Sequence, residues 1–132
     1  MFFSMEVSRL DRLVFIVARG ELTMATARRA IDQLVKADVP AFAKIFDVSG
    51  VSCGLGLAQV RRMVVAARPA TATRHGRVAL VVDPDRDALG KLVAEAVSGD
   101  AGVGLFRSLH DARAFVDRKL VNAADWTRQA AD

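Results

Sequence analysis

The sequence predicts an α/β domain: a mostly parallel central sheet with one antiparallel edge strand, packed with four helices in the order ββαβαβαβα. Three observations lead there. Short β-branched apolar runs alternate with segments whose apolar residues recur every three to four positions. Two short strand candidates, Phe3 to Arg9 and Leu13 to Arg19, open the chain, separated by only Leu10-Asp11-Arg12, a hairpin length. A length of 132 residues with 52% hydrophobic and 26% charged residues suits one domain with one core, not a disordered chain.

Each element has its own warrant. Leu13 to Ala18 is an unbroken apolar run containing Val14, Ile16 and Val17, as a strand covered on both faces requires. Gly20-Glu21-Leu22-Thr23 then turns the chain into a first helix with Thr23 as N-cap. Ala27, Ala30, Ile31, Leu34 and Val35 form its buried stripe. Ala43 to Val48 reads as a short buried strand. Ser49 to Gly56 comes next as a small-residue loop, and a second helix carries Leu57, Val60, Val64 and Ala67 and stops before Pro69. Thr71 to Gly76 is a basic connection, and Arg77 to Val82 is the clearest strand in the chain.

Asp83-Pro84 reads as a helix start, an N-cap followed by proline at the first helical position. That third helix buries Leu89, Leu92, Val93, Ala96 and Val97. Val103 to Phe106 is the last strand. Ser108-Leu109-His110-Asp111 resembles a capping box for a final helix burying Leu109, Ala112, Phe115 or Val116, and Leu120. The domain is expected to span residues 1–121, with 122–132 as a polar tail containing Trp126, which either anchors a homodimer or folds back on its own domain.

Composition excludes several function classes. The longest apolar run is far short of the ~20 residues that span a bilayer. The opening residues Met1 to Glu6 carry no basic region followed by a long apolar stretch, so no secretion signal is read and a cytoplasmic location is expected. A single cysteine, Cys53, excludes an internal disulfide framework and a cysteine-cluster zinc site. The net charge is +4, and no Asp or Glu occurs between Val48 and Val82 while Arg61, Arg62, Arg68, Arg74 and Arg77 do. That stretch is expected to build a locally positive surface. It lacks aromatic residues interleaved for base stacking, so specific nucleic-acid binding is not expected.

The order of these elements, with Gly20-Glu21-Leu22-Thr23 opening the first helix and Phe46-Asp47-Val48-Ser49-Gly50-Val51 ending the third strand, resembles the STAS superfamily. Arg77-Val78-Ala79-Leu80-Val81 and Phe106-Arg107-Ser108 followed by Asp111-Ala112 fit the same pattern. The likeness covers roughly residues 4–121 and marks a divergent, anti-sigma-factor-antagonist-like (SpoIIAA-like) member. It implies a STAS-like fold and a regulatory protein-interaction module that is not an enzyme, has no cofactor and meets a protein partner, an anti-sigma-like or other regulatory protein. In family members acting as phospho-switches, Asp-Ser-Ser-Gly begins the second helix and a serine accepts phosphate from a partner kinase. Here the stretch reads Ser52-Cys53-Gly54-Leu55-Gly56-Leu57, without that motif. Ser52 and Ser49 are the candidate phospho-acceptors left nearby.

The same segment carries the other candidate chemistry. Asp47, Gly50, Cys53, Gly54, Gly56, Arg61 and Arg62 form a candidate partner- or anion-binding loop. It lies beyond a strand's carboxyl end and before a helix N-terminus, where open α/β sheets take ligands. The alternative function is therefore binding of a small anionic ligand or lipid headgroup by the Gly50–Gly56 loop and its arginines; a plain tight connection explains the same glycines. Neither Gly-x-Gly-x-x-Gly nor Gly-Lys-Ser/Thr is present. Cys53 reads as a structural cysteine or a reactive thiol; with His75 and His110 the only histidines, no base is placed beside it. Asp47 and Asp83 at the ends of neighbouring strands either chelate a divalent cation or serve as caps, and no metal site is assigned.

Overall fold

The computed structural model describes residues 1–39, 41–71, 76–83, 87–99 and 102–117. Its elements are β1 (Phe2–Ser8), β2 (Leu13–Leu22), α1 (Met24–Ala37), β3 (Ala43–Cys53), α2 (Leu57–Thr71), β4 (Val78–Val81), α3 (Ala88–Ala96), β5 (Val103–Phe106) and α4 (Leu109–Asp117), in the order expected from sequence. The sheet runs β1-β2-β3-β4-β5. β1 pairs antiparallel with β2, and the remaining neighbours are parallel.

Alternation along β2 sorts the two faces. Leu13 and Phe15 point to one side, where Ile45, Ala79 and Val81 meet Ala112 and Phe115 of α4. Val14 and Ile16 point to the other, against Leu34 of α1 and Val39. On that second side α2 and α3 add Val60, Leu89 and Val93, packed with Leu22 and Leu80. Among the described residues, α1, α2 and α3 therefore cover one face, and α4 covers part of the other. Thr23 caps α1 reciprocally with Thr26: the Thr26 amide donates to Thr23 Oγ1 at 3.2 Å and the Thr23 amide to Thr26 Oγ1 at 2.9 Å.

Several expected boundaries move. β2 continues through Gly20 to Leu22, and β3 continues through Gly50 to Cys53, because the two keep pairing past a bulge between Val17 and Arg19. Of the residues read as a loop, Ser49 to Cys53 are thus strand, and only Gly54 to Gly56 connects to α2. α2 runs past Pro69, which costs a single amide donor in its final turn. α3 starts at Ala88 with Asp87 at the N-cap position, not at Asp83. The two aspartates bond to each other, the Asp83 amide donating to Asp87 Oδ2 at 2.9 Å and the Asp87 amide to the Asp83 carbonyl at 2.8 Å.

Side-chain burial follows the periodic stripes, with two corrections. Val35 is half exposed on α1, and Leu109 is exposed because it is the first residue of α4, before the helix closes on the sheet. Ser108 accepts the Asp111 amide at 3.2 Å, as its capping position requires. Leu120, Trp126, the boundary at Val121, Pro84 and the connection through Arg74 and His75 lie outside the described residues.

Candidate functional site

The candidate residues gather at the rim where β2 and β3 end together. The bulge sets two residues of β3, Val48 and Ser49, against Ala18, and re-aims the rest of the strand. Val51 and Cys53 then face the helix side, packing in the cluster of Leu22 and Val60. Gly50 and Ser52 alternate to the opposite side and are exposed. The structure thereby separates Cys53 from Ser52: the thiol is half-buried among apolar side chains, while the hydroxyl stands open.

The two serines differ in their commitments. Ser49 donates from Oγ to Asp47 Oδ1 at 2.6 Å, and the same oxygen accepts the Ser49 amide at 3.2 Å, so Asp47 ties down the bulge. Ser52 Oγ reaches only the Gly20 carbonyl of the adjoining strand, at 3.4 Å. Gly20 adopts φ +102°, and a Cβ there would stand 3.3 Å from the backbone of Met1. A Cβ on Gly50 would stand 3.1 Å from Cγ of Arg19, whose side chain lies across the strand from it. Arg19 and Gly20 thus belong to the rim, although sequence reasoning placed them in a strand end and a turn. The alternation Arg19-Gly20-Glu21-Leu22, with Leu22 facing the core, is the signal that extends β2 to them.

The helix start is already occupied by the protein's own groups. The Gly56 amide donates to Gln59 Oε1 at 3.0 Å, which is how a glycine without a capping side chain closes the first turn of α2. Gly54 and Gly56 have negative or extended φ, and a Cβ on either would meet only open space. Arg61 turns toward α3, with Nη2 3.8 Å from Glu95 Oε1, while Arg62 is exposed. Two groups that an anionic ligand would use, the Gly56 amide and Arg61, therefore have protein partners.

The arginine-rich stretch does not build one surface. Arg77 is buried under α4, donating from Nη1 to the Phe115 carbonyl at 3.0 Å. Asp47 and Asp83 do not both sit at strand ends: β3 runs on past Asp47 to Cys53, Asp83 lies two residues beyond β4, and each has its own partner, Ser49 for Asp47 and Arg107 Nε at 3.7 Å for Asp83. Among the described residues no group of three or more His, Cys, Asp or Glu gathers to hold a metal, and no helix is long and apolar enough to cross a membrane.

One buried cation was missed from sequence. Lys44, on the helix side of β3, is fully buried and donates from Nζ to the Val39 carbonyl at 3.1 Å and the Phe42 carbonyl at 2.8 Å. It binds the α1–β3 connection from beneath. Burial lowers its pKa from 10.5 to about 8.

Among the described residues the fold is a five-stranded mixed sheet with one antiparallel edge strand, packed with four helices. Among solved structures it is similar to an anti-sigma factor antagonist from Mycobacterium paratuberculosis, with a TM-score of 0.60 and 19% identity over 87% of this chain and 94% of that one. The sequence matches no protein-family model and no curated protein.

Proposed function

We propose that the chain is a non-catalytic regulatory module that docks a protein partner, an anti-sigma-like or other regulatory protein, on the rim formed by the ends of β2 and β3 and the start of α2. The fold shared with an anti-sigma factor antagonist is the observation that carries this reading. The rim supports it. It presents Arg19, Ser52 and Arg62 to solvent, and the acidic and basic groups beside them, Asp47 and Arg61, are held in place by neighbouring side chains.

If the rim is switched by phosphate, Ser52 is the acceptor. Its hydroxyl is exposed and its bond to the Gly20 carbonyl is a long one; on the same side of the adjacent strand Glu21 stands opposite it and Arg19 two residues away. A phosphate on Ser49 would abut the Asp47 carboxylate and cost like-charge repulsion. The protein is proposed to act in the cytoplasm.

Photo-crosslinking from native lysate tests the reading. A crosslinking residue at Ser52 or Arg62 should capture one and the same protein, whereas at Leu10, 94% exposed on the hairpin at the other end of the sheet, it should not. Capture of different proteins at the two rim positions, or equal capture at Leu10, overturns it. Phosphosite mapping that finds phosphate on Ser49 and never on Ser52 reverses the assignment of the acceptor.

A further inference from the structure

Between the sheet and the three helices on its helix-covered face lies a cavity of about 530 Å³. Its floor is the sheet, through Phe46, Val48 and Leu80, and its walls include Ile31 of α1, Val64 of α2 and Val93 of α3. Protein interiors ordinarily hold few voids larger than a water molecule. This one is of small-molecule size, within the ~300–1,000 Å³ of ligand pockets. Its origin is visible in the sequence: Ala18 on the floor faces Ala27 and Ala30 of α1, and Ala67 of α2 stands where a larger residue would close the gap.

The wall decides the ligand's chemistry. Among the described residues, those lining the cavity are aliphatic, methionine, phenylalanine or glycine, and none of them carries a charged or hydrogen-bonding side chain. A polar ligand would lose its hydration without replacement. Water itself needs two to four polar partners, and no described side chain of the wall supplies one. The wall extends from buried residues to exposed ones, Met1 at 40% exposure and Gly102, so the space reaches the surface. A flexible apolar chain could enter there and leave a polar head outside.

We infer that this cavity binds the hydrocarbon chain of a lipid-like molecule, with its head at the mouth and its chain between the sheet and α1, α2 and α3. Lys44, the buried cation on the same face, donates to backbone carbonyls and is not part of the wall. The cavity shares the helix side of the rim strands, through Leu22, Val48 and Val51, but not the exposed side proposed for docking. Cys53 and Ser52 do not line the cavity.

The test uses the full chain and the uncharged fluorophore N-phenyl-1-naphthylamine. Saturable binding with a blue-shifted emission is expected, competed by 1-dodecanol. Displacement also by phosphatidylglycerol vesicles would make a membrane lipid the source of the chain; displacement by dodecanol alone would make it a free amphiphile. Ala30→Phe places a ring in the cavity and should weaken probe binding at least tenfold while preserving the circular dichroism spectrum. Val17→Leu, on the opposite side of the sheet, should leave it unchanged. If Ala30→Phe does not fold, Ala67→Leu serves the same purpose from α2. Failure of the wild-type chain to bind the probe saturably overturns the inference, as does unaltered binding in a folded cavity-filling variant.

Discussion

Arg77 sits over the ring of Phe115, its Cζ 4.7 Å from the ring centroid, while its Nη1 donates to the Phe115 backbone carbonyl at 3.0 Å. A single side chain at the foot of β4 thus grips α4 by both its ring and its backbone. Among the described residues α4 is the one helix on its sheet face, so this contact governs how firmly that layer is held. Arg77→Met preserves length and apolar stem but removes the donor and the charge. It should cost about 2–3 kcal/mol in urea unfolding and speed amide exchange in α4 ahead of α1. Equal protection of α4 in both proteins would show that the apolar contacts of Ala112 and Phe115 suffice.

Gly104 serves the same layer from β5. A Cβ there would lie 2.7 Å from Phe106 Cε2 and 3.4 Å from Phe115 Cε1, and the two rings pack at a centroid distance of 5.2 Å. Gly104→Ala forces the ring pair apart and should destabilise by about 1–3 kcal/mol. Adding Phe106→Leu should recover part of that loss, because the clash and its relief involve one contact. Strictly additive losses in the double variant would place the strain elsewhere.

Element order was legible because β2 and β4 carry runs rich in β-branched residues and each helix its three-to-four periodicity; β1 and β5, with one valine apiece, were legible from their places beside the hairpin turn and between two helices. The rim was less legible. Gly20, Gly50 and Ser52 look like turn residues one at a time, and only the pairing of β2 with β3 beyond the bulge makes them strand. Pairing is a long-range property, and local propensity argues against it here. Lys44 was invisible for a related reason. Its partners are backbone carbonyls of Val39 and Phe42, groups every residue has, so no sequence pattern marks them. The misplacement of Arg77 among surface arginines has the same root, since its acceptor is also a backbone carbonyl.

The start of α1 offers a purely local prediction. Thr23 and Thr26 exchange backbone-to-side-chain hydrogen bonds, and threonine stands where a capping box ordinarily has Glu or Gln. Thr23→Ala should cost about 1 kcal/mol. Thr26→Glu should be neutral or stabilising, since the longer acceptor also meets the positive end of the helix dipole. Thermal unfolding of the two variants checks both, and a loss in Thr26→Glu as large as in Thr23→Ala would contradict the capping account.

Lys44 makes stability depend on pH in a direction opposite to ordinary alkaline unfolding. Its folded pKa of about 8 lies below the 10.5 of a free lysine because burial penalises the ammonium. Below pH 8 the group is charged in both states, and the folded chain bears the full cost of burying it. Between about 8 and 10.5 the folded chain sheds a proton that the unfolded chain retains. The unfolded state then binds more protons, so this contribution rises with pH by up to about 1.4 kcal/mol per unit. The neutral amine still has two N–H groups for the Val39 and Phe42 carbonyls, so the tie to the α1–β3 connection survives deprotonation. The chain has no tyrosine, and comparison with a Lys44→Met variant cancels the groups common to both proteins. In a Cys53→Ser background, urea unfolding at pH 7.5 and pH 10 should show the stability difference between the Lys44 protein and its Lys44→Met variant shifting toward the lysine by more than about 1 kcal/mol at the higher pH. A difference that stays flat, or shifts toward methionine, would mean that Lys44 keeps an ordinary affinity for its proton despite its burial.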